Sequence, residues 1–208
     1  MLYYLKNTEL TECRTYRHSR YKPMTGRVRT LVTYRKLIYF PITSTLQRLF
    51  ISPKTIKHII WHQSHDVLDG VMMHLFYGGA WKHFNSVHPQ FSVETRNMHL
   101  VLCIDKFNLF GSFVAPYSCW SVILMIYNLP PRMCMKPEFM FLSMVIPGPN
   151  SPGQNIDVCF FLSLIDELKQ LWSFRALTCN VLRKQNFMMN RALMWTINDF
   201  IAYRMVYG

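Results

Sequence analysis

A chain of 208 residues, half of them apolar and 16% charged, can bury one good core with a small appendage, and it is not disordered throughout. The formal net charge of +12 is unevenly placed: residues 1–60 hold twelve Lys/Arg and two acids, a balance of +10, against +2 for the rest. Such an arm points to a polyanionic partner, most simply nucleic acid; a solvated arm without a partner is the bland alternative.

The six cysteines (13, 103, 119, 134, 159, 179) form no regular framework, and several sit in apolar runs where a free thiol packs as a small hydrophobe. That pattern favours a reducing compartment. The opening MLYYLKNTEL carries charge too early for a secretory signal. Residues 107–131 lack charge, but Asn108, Pro116, Asn128 and several serines interrupt them, so a loop followed by a strand is expected rather than a membrane span.

In chain order, residues 1–60 read as a basic arm with short helices. Arg14, Arg17, Arg20, Lys22, Arg27, Arg29, Arg35 and Lys36 are its candidate nucleic-acid contacts. Cys13 stands where a zinc-binding C-x-x-C would begin, but Tyr16 holds the partner position, so a free cysteine in a loose arm is expected. Leu46, Leu49 and Phe50 fall at helical spacing. Ser52-Pro53 opens a second helix that carries His58, His62 and His65 on one face, with an ordinary amphipathic helix favoured over a metal site. Residues 61–97 form a loop-rich connector, with a short helix over 79–84 packing Trp81 and Phe84.

Residues 98–208 carry the core. Strands are expected at about 98–105, 118–128 and 138–146, then the turn-forming loop 149–153. A helix over 157–172 follows, with Asn155 or Asp157 as cap and Phe161, Ile165, Leu168 and Trp172 on its buried face. An irregular stretch, 173–190, leads to a last strand at 192–199. The order β-β-β-α-β with a mixed sheet fits the first half of a ribonuclease H-like α/β fold. A crossover returning the last strand parallel to the first would bring Asp105 and Asp199 to one sheet edge. Paired carboxylates of this kind can share a divalent cation, and two such ions drive phosphodiester chemistry. An Asp after a strand is, however, most often a turn residue.

Collinear words spread over residues 1–203 carry a resemblance. They include Tyr39-Phe40-Pro41, Trp81-Lys82-His83-Phe84, Tyr127-Asn128-Leu129-Pro130-Pro131, the run from Ile146 to Gly153 followed by Ile156-Asp157-Val158, and Trp195-Thr196-Ile197-Asn198-Asp199-Phe200. In these the chain resembles the transposases of plant En/Spm (CACTA) DNA transposons. The resemblance implies a DDE/D cut-and-paste enzyme with a ribonuclease H-like core, Mg²⁺ dependence, transposon-end DNA as partner and nuclear localisation. It makes Asp105 and Asp199 the first and second metal-binding acids. The departures matter too: Lys106 and Leu109 stand where the family keeps Gly and Pro, Ile201 replaces a Pro, and the third acid lies in a part beyond the match. The expected function is therefore a transposase-derived fragment, inactive alone. The alternatives are a retained DNA-binding or protein-interaction module using the arm, or a nuclease whose third acid comes from another chain such as a full-length transposase copy.

Overall fold

The computed structural model describes residues 2–23, 30–65, 70, 72–108, 117–148, 156–199 and 203. Arg27, Arg29, the turn at 149–153 and the cap candidate Asn155 lie outside this set. The side chains of Asp157 and Phe161 lie outside it as well.

A five-stranded mixed sheet organises the chain. Its strands are β1 (Ile38–Tyr39), β2 (Met98–Asn108), β3 (Ser118–Ile126), β4 (Met140–Ile146) and β7 (Arg191–Asn198), in spatial order β1-β4-β3-β2-β7. β2, β3 and β4 meander antiparallel, with the short helix α6 (Pro131–Cys134) between β3 and β4, while β7 lies against β2 in parallel. Parallel neighbours need a long crossover, and residues 147–190 supply it with α7 (Ile156–Phe174) and a separate two-stranded hairpin, β5 (Ala176–Asn180) and β6 (Gln185–Met189).

Alternation along β2 sorts its side chains onto two faces. Met98, Leu100, Leu102 and Ile104 join Trp120, Val122 and Leu124 of β3 and Met144 of β4 in the main core. That face is covered by Leu164 and Leu171 of α7, Phe187 and Met189 of β6, and two N-terminal helices, α1 (Ile42–Arg48) and α2 (Pro53–Ile59). α1 lacks a cap of its own because Pro41 precedes it. Glu167 of α7 caps it instead: Oε1 accepts from the Thr43 N–H at 2.9 Å and the Thr43 hydroxyl at 2.5 Å. Oε2 accepts from the Ile42 N–H at 3.1 Å and from the Tyr39 hydroxyl. Burial alone would raise the Glu167 pKa; the four donors outweigh it and hold the carboxyl below its ordinary value.

The opposite face bears His99, Val101, Cys103 and Asp105. Here α4 (Gly79–Val87) and α5 (Pro89–Val93) lay down an aromatic layer. Trp81 stacks on His99 at 3.6 Å, and Phe84 and Phe91 meet the same ring edge-on.

Several boundaries move from the sequence reading. Strand β2 runs three residues past Asp105, because β3 pairs with it as far as Asn108↔Ser118. The stretch expected to be irregular contains the β5–β6 hairpin. The face of α7 turns: Leu164 and Leu171 are buried, while Trp172 is 40% exposed and stacks on Phe91 of α5 rather than facing the sheet. The second helix ends at Ile59, and α3 (Trp61–Ser64) starts anew. His58, His62 and His65 therefore share no continuous helix face.

The arm has local order. Two backbone hydrogen bonds close a turn at Cys13: its N–H donates to His18 O, and the Arg17 N–H donates to Cys13 O, both at 2.9 Å. Arg17 closes this turn with φ at 53°. The Tyr16 and Thr15 N–H groups hold the Cys13 thiol below its ordinary pKa. The cysteine expected in a loose arm is buried in a tight turn, and it is free, as are Cys103, Cys119, Cys134 and Cys179.

Candidate metal centre and nucleic-acid face

The site begins with how β2 and β7 are tied at their N-terminal ends. Three asparagines hold the junction. Asn97 Oδ1 accepts from the Asn190 N–H at 2.7 Å, and Asn97 Nδ2 donates to Phe91 O at 2.8 Å. Asn128 Oδ1 accepts from the His99 N–H at 2.7 Å, and its Nδ2 donates to Asn97 O at 2.9 Å. Asn190 Oδ1 accepts from the Arg191 N–H at 2.9 Å. All three are buried, so each bond replaces water that cannot enter.

From this anchor the register runs Met98↔Arg191 to Leu100↔Leu193, then shifts to Val101↔Trp195 and continues to Ile104↔Asn198. The extra residue is Met194. The bulge shifts the register by one: in a regular ladder Asn198 would stand opposite Asp105, whereas here Asn198 pairs with Ile104, and Asp105 and Asp199 follow that last rung. Asp105 lies on β2 and Asp199 follows the last residue of β7, at the same end of two neighbouring strands. Bulges recur beside functional sites because they re-aim a side chain in this way.

Both aspartates are exposed. Asp105 Oδ1 accepts from the Lys106 N–H at 2.8 Å. Below the pair, Cys103 reports the shared charge: burial pushes its thiol up, and the carboxylates of Asp105 and Asp199 push it further. Lys106 pairs with Trp120, and alternation assigns it to the opposite face, away from the two acids.

Among the described residues no group of three His, Cys, Asp or Glu side chains gathers for a metal ion. Glu167 is engaged at α1 by its hydrogen bonds to Tyr39, Ile42 and Thr43. Among the described residues the donors at this edge are two exposed carboxylates.

Of the basic candidates, Arg17 pairs with Glu12 at 2.9 Å on the surface. Arg20 is spent inside the arm, where its guanidinium donates to Thr8 O at 2.5 Å and lies over the rings of Tyr3 and Tyr21. Arg14, Lys22, Arg35 and Lys36 are exposed. Sequence reasoning missed the asparagine junction and the Met194 bulge; the only trace of the junction is that each asparagine adjoins a strand end.

No described helix is long and apolar enough to cross a membrane. Neither a curated protein nor a solved structure matches the chain. The model of one family does match, over residues 69–208, which takes in the connector helices, both aspartates and the whole crossover. The chain belongs to the transposase family tnp2.

Proposed function

We propose that this chain is a transposase-derived piece of the En/Spm (CACTA) type, carrying the β-β-β-α-β part of a ribonuclease H-like DDE/D core without strand cleavage of its own. The observation that supports the reading is the bulged parallel pairing of β2 and β7, whose last rung, Ile104↔Asn198, directly precedes Asp105 and Asp199. Two carboxylates meeting at that strand end would be the beginning of a Mg²⁺ site. The ion would supply charge neutralisation at a scissile phosphate. Asp105 and Asp199 would hold it, but Mg²⁺ keeps most of its waters and binds two carboxylates weakly. Among the described residues these two acids alone do not fill a two-ion centre.

What this chain's own residues offer is a scaffold for DNA. Arg14, Lys22, Arg35 and Lys36 are exposed cations in a segment holding most of the net charge. Binding through them is electrostatic, reads phosphate rather than sequence, and suits the ends of a transposon in the nucleus. A second reading is trans-complementation, in which a longer transposase copy supplies the third acid. The open exposure of both aspartates favours keeping it.

The test is a plasmid assay. The purified chain incubated with supercoiled DNA and Mg²⁺ or Mn²⁺ is expected to nick no more than its Asp105→Ala variant. Nicking that disappears in the variant restores the enzyme reading.

A further inference from the structure

The basic arm folds into a stapled tip. Segments 11–13, 18–22 and 32–34 lie side by side: Glu12 bridges Ser19, and Tyr21 bridges Thr33. The Arg20 N–H donates to Thr11 O at 2.7 Å, and the Lys22 N–H donates to Val32 O at 2.8 Å. The first two segments are joined by the turn that Cys13 and Arg17 close. At its base the Cys13 thiol accepts from the Tyr16 N–H, which fixes the backbone at that position.

The Tyr16 ring is not part of the staple. It is 82% exposed, so it adds nothing to the core. Where a C-x-x-C would turn its second thiol inward, this turn displays a flat ring to solvent. Its backbone is already ordered by folding, so a partner that stacks on the ring meets a pre-organised surface.

The surroundings of the ring are cationic. Residues 13–36 hold eight Lys/Arg and no acid. Arg14 and Arg17 flank Tyr16 in the turn, both exposed, and the pair Arg17 forms with Glu12 lies at the surface, where it is weak. Two residues past Tyr16, the exposed His18 ring meets the exposed Tyr34 ring edge-on, with centroids 5.0 Å apart.

Charge and ring together narrow the occupant. A phosphate backbone answers the cations, and a base carried on it answers the ring. A lipid surface would call for a broader apolar face than one tyrosine offers. In paired duplex the base faces are covered by their neighbours, so the ring needs a strand with unpaired bases.

We infer that Tyr16 stacks on an unpaired base of bound DNA, with Arg14 and Arg17 on the flanking phosphates. The inference rests on the DNA-binding reading above and deepens it. The arm takes single-stranded or frayed DNA as well as duplex, and without sequence preference, since every base has a face to stack.

The test uses the full chain and three labelled ligands of equal length: a single strand of mixed sequence, the same strand with every base removed, and the paired duplex. The single strand is expected to bind about tenfold tighter than the abasic strand, which carries the same phosphates. Tyr16→Ala should bind those two strands alike, and Tyr16→Trp, which keeps a flat ring, should retain the preference. Arg14→Ala should weaken both strands by the same factor, because it meets phosphate alone. On the unaltered chain, a strand carrying 5-iodouracil should cross-link at residue 16 under near-ultraviolet light, as located by mass spectrometry. Equal affinity of the unaltered chain for the two strands, a preference that survives Tyr16→Ala, or cross-links that avoid Tyr16 would overturn the stacking assignment while the DNA reading stands. Absence of binding to all three ligands at low salt removes the DNA reading and the stacking with it.

Discussion

The side-chain oxygen of Asn97 accepts the backbone N–H of Asn190 at 2.7 Å, joining residues 93 positions apart in the chain. Because Met98 and Arg191 follow directly, this bond sets the register of the parallel pair from its first rung. Asn97→Ala would strand the Asn190 N–H and release Phe91 O from its donor, both in buried surroundings. The expected cost is about 2–4 kcal/mol, read as a lowered urea midpoint at unchanged slope.

The aspartates are testable by substitution. In Mn²⁺ titrations followed by electron paramagnetic resonance, the intact chain is expected to bind weakly, and Asp105→Ala and Asp199→Ala should each abolish that binding. Deleting Met194 takes out the unpaired residue while Trp195 keeps Val101 and Asn198 keeps Ile104, so weak binding should survive the deletion. Retained binding in either alanine variant would show that the two acids do not share an ion.

Acid sensitivity follows from Glu167 and the buried histidines. Glu167 has a depressed pKa in the folded chain, so its contribution is complete above the unfolded carboxyl value and disappears as pH falls through the folded one. His99 and His74 are held down to about 3 and about 4, mainly by burial. The unfolded chain takes up those protons first, so stability begins to fall below about 6.5, well before the carboxylates titrate. Urea midpoints measured from pH 7 to 4 should decline steadily. His74→Phe should flatten the upper part of that decline, and Glu167→Gln only the part below the ordinary carboxyl value. Glu167→Gln should also lower stability at neutral pH by about 1–3 kcal/mol, since Thr43 and Tyr39 lose a charged acceptor. It would also leave the fully buried Arg191 without the carboxylate that holds its charge.

The turn after β4 carries a sharper test. A Cβ on Gly148 would stand 2.0 Å from the backbone oxygen of Ser118, at the start of β3. Backbone cannot step aside as a flexible side chain can, so Gly148→Ala should cost about 2 kcal/mol or more and loosen the outer rungs of the β2–β3 pair. Amide exchange at Ser118–Trp120 would show it.

DNA affinity should fall steeply with salt and show little sequence preference. Deleting residues 1–36 is expected to remove most of the binding to paired duplex. Unchanged affinity after the deletion would shift the electrostatic contacts into the sheet domain.

The apolar runs made the sheet readable. The run from Leu100 to Ile104 and the one from Val122 to Ile126 are long, β-branched and bounded by polar or proline residues, and both are buried strands. The pairing of the first and last strands followed from the helix between them. The β5–β6 hairpin escaped because its turn, Val181–Lys184, has no glycine, and Lys184 and Arg175 take left-handed backbone with φ near 50° without a residue that signals it. The clamp of Glu167 on α1 joins residues 124 positions apart and leaves no local pattern. The aromatic layer was hidden for a similar reason: Trp81 and Phe84 read as core, and only the fold brings both rings onto His99.

The parallel pair also has a bearing on time. β2 and β3 are hairpin neighbours and can zip early, whereas β7 must wait for α7 and the β5–β6 hairpin before it reaches β2. Contacts between such distant segments form late and slow the search for the native state. During synthesis Asp105 is thus displayed on a finished hairpin long before Asp199 arrives, and the acidic pair is assembled in the final step. A ribosome that stops short of β7 releases a chain with one acid exposed and the edge of β2 bare, a species prone to capture a strand from another molecule.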